Sequence, residues 1–154
     1  MNDFYCDKII WWELSDKPKF VYDLNGYFVD ATVFIMSGEN LKFILSILNS
    51  TLWSWYFSLI STTSWMWTIR WKKYKIEKFP IKQISPESQK PFIDLVDQIL
   101  EITKKEDYLE REDLQKQVKV LENKIDYMVY KLYELNSEEI ESVEGSLKSS
   151  KTKG

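Results

Sequence analysis

Histidine is absent from this 154-residue chain, and cysteine occurs once, at Cys6. The missing imidazole excludes His-based acid–base catalysis and the Ser-His-Asp and Cys-His nucleophile arrangements. Together the two shortages exclude a zinc site built from His and Cys. A lone cysteine forms no internal disulfide, which fits a reducing compartment, so a cytoplasmic location is the expectation. Long apolar runs are also lacking. The stretch LWSWYFSLI is far short of the roughly 20 residues that a membrane-spanning helix needs. The opening MNDFYCDKII has no basic-then-apolar signal pattern, and no membrane partner is expected. Glycine and proline number only four each, and no Gly-rich loop follows a strand-like segment, so no cradle for a nucleotide or for S-adenosylmethionine is visible. The Asp/Asn-Pro-Pro-aromatic tetrapeptide that holds a target amine in amino-methylating enzymes is missing too. The nearest approach to a nuclease-type Asp…Glu-x-Lys set, Asp113 with Glu122 and Lys124, falls on the solvated flanks of a helix. The chain carries no catalytic motif of its own.

Aromatic residues are abundant, at 16%, so some of them are expected to do more than fill a core. They concentrate beside positive charge in SWMWTIRWKKYK, residues 64–75. There Trp65, Trp67, Ile69 and Trp71 share one parity and Met66, Thr68, Arg70 and Lys72 the other, which predicts a strand with one buried and one wet face. The formal net charge of −3 hides a segregation. Residues 70–82 hold six bases and one acid, whereas residues 101–144 hold thirteen acids and seven bases. A concentrated basic patch on a mildly acidic chain can still hold a phosphate backbone. Arg70, Lys72, Lys73 and Lys75 are the candidate phosphate contacts, with Arg70 also able to read a guanine edge. Trp65, Trp67 and Tyr74 form the aromatic part of that surface, and Lys17 and Lys19 around Pro18 extend it. Two plainer readings stay open. The cations also suit a solvated edge strand, and Trp65 and Trp67 also suit a core.

The fold class read from the pattern is α+β: a small mixed, strand-bearing body over residues 1–84, a helical hairpin and final turn over 85–145, and a disordered tail over 146–154. KIIWWEL, FVYD and ATVFIM read as strands, with Asn25-Gly26 as a hairpin turn. ENLKFILSILNS and TLWSWYFSLIS read as helices split at Asn49-Ser50, and KYKIEKFPI as a helical turn followed by a strand ending at Pro80. Ser85-Pro86-Glu87 starts a longer helix with Phe92, Leu95, Val96, Ile99 and Ile102 on one stripe. Leu114, Val118, Leu121, Ile125, Met128, Leu132 and Leu135 then alternate by four and three, a coiled-coil seam that could pack on the first helix, a neighbouring domain or a second copy.

Five segments in order, KIIWWELSDKPKFVYDLNGYF, LNSTLWSWYF, IRWKKYKIEKFPI, PFIDLVDQIL and LYELNSEEIESVEG, resemble the TaqI-like C-terminal specificity domain of adenine-specific DNA methyltransferases and fused restriction–modification enzymes. The resemblance runs over residues 8–145 and implies a target-recognition part that binds double-stranded DNA. It further implies an upstream methyltransferase domain that uses S-adenosylmethionine on an adenine rotated out of the duplex, with Mg wherever a nuclease is fused. Arg70, Trp71, Lys72 and Lys73 fall on the family's RWKK element, at the expected DNA face. STTSWMW stands where relatives often carry a Gly-rich stretch, so a base preference does not carry over. The rival class is a non-enzymatic module that associates through the heptad seam, or a stand-alone specificity subunit.

Overall fold

Strand β1 (Lys8–Trp12) is buried over its first four residues because it is the middle strand of a three-stranded antiparallel sheet. The computed structural model describes residues 6–15, 19–24, 33–61, 69–70 and 72–151. After β1 comes the two-residue β2 (Leu14–Ser15), then β3 (Val21–Asp23) and β4 (Val33–Ser37). β3 and β4 flank β1, with Ile9 opposite both Tyr22 and Met36. The Asn25-Gly26 turn expected from the sequence lies outside the described residues, and β3 pairs with β1. Lys8, which the sequence offers as the flank of an apolar run, is wholly buried. Its ammonium sits 2.9 Å from Asp23, the residue directly across on β3.

Two apolar helices follow, α1 (Leu41–Leu48) and α2 (Thr51–Ile60), bent by 66° at the Asn49-Ser50 break. Among the described residues no single helix is long and apolar enough to cross a membrane. The break is a working junction. Asn49 donates to the Phe20 carbonyl and accepts from the Phe20 amide, imitating a strand partner at the entrance to β3. Ser50 caps α2 through Trp53 N, while Asp126 takes both the amide and the hydroxyl of Thr51 at 2.7 and 2.6 Å. The minimal strand β5 (Ile69–Arg70) pairs with β2, and a single helical turn, α3 (Lys73–Ile76), comes next.

Helix α4 (Pro86–Thr103) starts as its sequence predicts, with Ser85 as N-cap and Pro86 at the first position. A 3₁₀ turn (Tyr108–Glu110) leads to α5 (Glu112–Leu132), which packs against α4. Arg111 pins this turn with a two-pronged bond to Asp113 and a third to Asp107, holding the Asp113 carboxyl down at about 2. The seam residues Leu114, Val118, Leu121 and Ile125 are buried within the single chain. Beyond Ile125 the buried face moves to Val129 and Tyr130, off the strict seam. A straight helix drifts by about 20° per heptad relative to a 3.5 repeat, and here the drift turns the helix toward α2.

The last helix departs from expectation. The sequence predicts a short turn and a tail beyond Ser137, but α6 (Ser137–Lys151) continues as helix and packs on α2. Val143 is its anchor in the core. One buried cluster draws on Ile9, Trp11, Phe43, Trp53 and Phe79 from the first part of the chain and on Phe92, Val96, Val129 and Val143 from the second. Phe43 meets Phe92 edge-on at 5.3 Å, and Lys42 reaches Asp97 at 2.6 Å, so α1 is joined to α4 by both kinds of contact.

Candidate functional site

Of the alternating strand predicted across the basic run, residues 64–68 and 71 lie outside the described residues. Among the described ones Ile69–Arg70 is extended and pairs with Leu14–Ser15. Lys72 then takes an extended backbone as N-cap, and the chain turns into α3. No strand follows before Pro80. The amides of Ile76, Glu77 and Phe79 instead bond back to Lys72, Lys73 and Ile76, as in successive tight turns.

A single turn cannot sustain itself in water, because nucleating a helix costs more than one turn returns. This one is held from below. Ile76 and Phe79 are buried, and the Phe79 ring lies 4.1 Å from that of Trp53, 5.3 Å from Tyr56 and 6.0 Å from Tyr133. Trp53 and Phe57 of α2, both wholly buried and in ring contact at 5.3 Å, belong to the same aromatic group. The downstream side is latched to the end of α5. The Tyr133 hydroxyl donates to Pro80 O and accepts from Lys82 N, and burial raises its pKa further above neutrality.

On that platform the cations divide into two groups. Lys73, Tyr74 and Lys78 are exposed and Lys72 is half-buried. Lys78 stands 6.0 Å over the Tyr74 ring, one helical turn away. Lys73 faces Glu77 at 3.6 Å, with the two side chains 64% and 59% exposed. An ion pair so open to water is worth little, and the ammonium can exchange Glu77 for a phosphate. The second group points into the protein's own helix ends. Lys75 donates to the carbonyl of Ile60, the last residue of α2, at 2.7 Å, and Lys82 donates to the carbonyl of Leu132, the last residue of α5, at 2.9 Å.

Sequence counting could not separate these groups, since it sees charges and not what each one faces. It also passed over Lys78 as a site residue, although its spacing of four from Tyr74 on a helical turn was available. Arg70 has its backbone in the ladder opposite Leu14, and its side chain is not described. Lys19 is exposed just before Phe20. Lys17, Trp65, Trp67 and Trp71 lie outside the described residues. Among the described residues, no group of acidic or Cys side chains is placed to hold a metal ion. What the described part of the site can do chemically is present ammonium groups and an aromatic ring to an anion.

The TaqI-like C-terminal specificity domain matches residues 2–81, from the sheet through the whole of the basic turn. The matched span ends before α4, so the resemblance read from sequence across 86–145 lies beyond it. No curated protein matches the chain.

Proposed function

Because the chain belongs to the TaqI-like C-terminal specificity domain family, we propose that its basic turn is the surface on which it meets double-stranded DNA. The chain is a DNA-specificity domain of the restriction–modification kind. In the fuller reading it is the target-recognition part of an N6-adenine methyltransferase, with or without a fused endonuclease. Binding S-adenosylmethionine and, where a nuclease is present, Mg would then fall to domains preceding this one. Lys72, Lys73 and Lys78 meet phosphates, Tyr74 lies against the backbone, and Arg70 reads a base edge.

One observation carries this reading: within the matched span, Lys73, Tyr74 and Lys78 stand exposed, with Lys72 half-buried beside them, on a packed aromatic base. Phosphate contacts of this kind release counterions, so affinity for any duplex should fall steeply with salt. Three such contacts give a slope of about −2.7 in log K against log salt. Changing Lys72 and Lys73 together to Ala should reduce that slope by about 2 and weaken all sequences alike. Arg70→Ala should in addition flatten the preference between sequences by about 1–3 kcal/mol at the base it reads. No binding to duplex even at low salt would overturn the reading.

A further inference from the structure

We propose that Lys75 is a positioning residue for the DNA-facing turn, not one of its phosphate contacts. The inference rests on the DNA reading above and assigns a different part to a cation inside the same basic run.

The argument starts at the end of α2. A helix leaves its last carbonyls without intrahelical partners and carries partial negative charge there. In α2 the Ser61 amide satisfies Phe57 O, and the Lys75 ammonium satisfies Ile60 O at 2.7 Å. The helix has no base in its own last turn, so the compensating charge arrives from 15 residues away. Lys75 is half-buried in this contact. Moving it to a phosphate would strip a charge-assisted bond from a part-buried carbonyl and leave that carbonyl orphaned.

The turn has a matching need. α3 spans four residues, and its buried side chains Ile76 and Phe79 fix its depth. An apolar contact is non-directional and sets the rotation of a single turn poorly. The bond from Lys75 to Ile60 supplies the missing direction, and it comes from within the turn that presents Lys73 and Tyr74. Lys75 thus aligns the cations without being one of those that touch DNA.

The salt slope separates these two roles, since a positioning residue contributes none of it. Duplex binding is measured against salt for the full chain and for Lys75→Gln, Lys75→Arg and Lys73→Ala, with amide hydrogen exchange over residues 75–79. Lys75→Gln should weaken binding about three- to tenfold at every salt, as a smaller population of aligned turn requires, with an unchanged slope and faster exchange over 75–79. Lys75→Arg should restore both. Lys73→Ala should lower the slope by about 0.9 and leave the exchange unchanged. A slope lowered by Lys75→Gln as much as by Lys73→Ala overturns the proposal while leaving the DNA reading intact. So does a Lys75→Gln protein with unaltered affinity. A wild-type protein that ignores duplex at low salt overturns the DNA reading and this assignment with it.

Discussion

Asp126 is a single carboxylate with two opposing influences on it. Thr51 donates to it twice at the start of α2, which favours the charged form, yet burial and the nearby Glu144 of α6 win, and its pKa is raised; Lys119 opposes them. The folded state therefore favours the protonated acid more than the unfolded chain does. The stability that follows is complete below the ordinary carboxylate pKa of about 4 and is lost as pH rises through the raised folded value. Asp126→Asn does not titrate, so it should gain stability relative to wild type between pH 4 and pH 7 in urea unfolding. A difference that stays constant over that range would refute this. Asp126→Ala removes the acceptor for the Thr51 amide and should cost about 1–2 kcal/mol. None of this was legible in the sequence. Asp126 and Thr51 lie 75 residues apart, and no local pattern links an acid on one helix to the first amide of another.

At the scale of elements, legibility followed periodicity and caps. The start of α4 at Ser85-Pro86 and the break between α1 and α2 were readable because capping residues and apolar spacing agree there. The α5 seam was readable: Leu114 to Ile125 are buried and Met128, Leu132 and Leu135 pack partly buried against the core, while the burial of Val129 and Tyr130, where the helix meets α2, was not. Helix α6 was missed although Ile140 and Val143 lie three apart and pack in the core. Its polar, Ser-rich second half outweighed so short an apolar stripe. The alternating strand read from Trp65 to Lys72 lies mostly outside the described residues; Ile69–Arg70 alone is described as strand, paired with Leu14–Ser15, and the helical turn read at KYKI is α3. The platform below α3 yields an element-scale prediction. Phe79→Ala would leave a void between Trp53, Tyr56 and Tyr133, with an expected cost of about 3–5 kcal/mol in denaturant unfolding. The same change should weaken duplex binding by more than the loss of any one exposed lysine, because the whole turn loses its seat.

At the scale of the molecule, the cations of residues 70–82 are carried by a body whose helices over 101–144 are acidic. On the DNA reading proposed above, a duplex is drawn to the basic turn and repelled by the acidic helices, so the charge distribution sets orientation as well as attraction. The core, for its part, ignores the change of pattern near Pro80–Pro86. Phe92, Val96, Val129 and Val143 complete a cluster begun by Phe43 and Trp53. A fragment of residues 1–84 would expose that surface, and α2 would lose its cap from Asp126. It should lack the near-UV circular dichroism of packed aromatics and a cooperative thermal transition, whereas the full chain should unfold in one step. A folded 1–84 fragment would show that the sheet and first helices are autonomous.

The buried pair in the sheet has a consequence for how such chains can diverge. Lys8 and Asp23 face each other across adjacent strands with side chains 0% and 3% exposed. Removing either takes the counter-charge from a buried ion and should cost about 3–5 kcal/mol, while replacing both with apolar residues of similar volume should be close to neutral. A lineage can therefore leave this arrangement only by changing both positions together or through a poorly folded intermediate. In an alignment of related chains, the two columns should covary: charged with charged of opposite sign, or apolar with apolar, and rarely mixed.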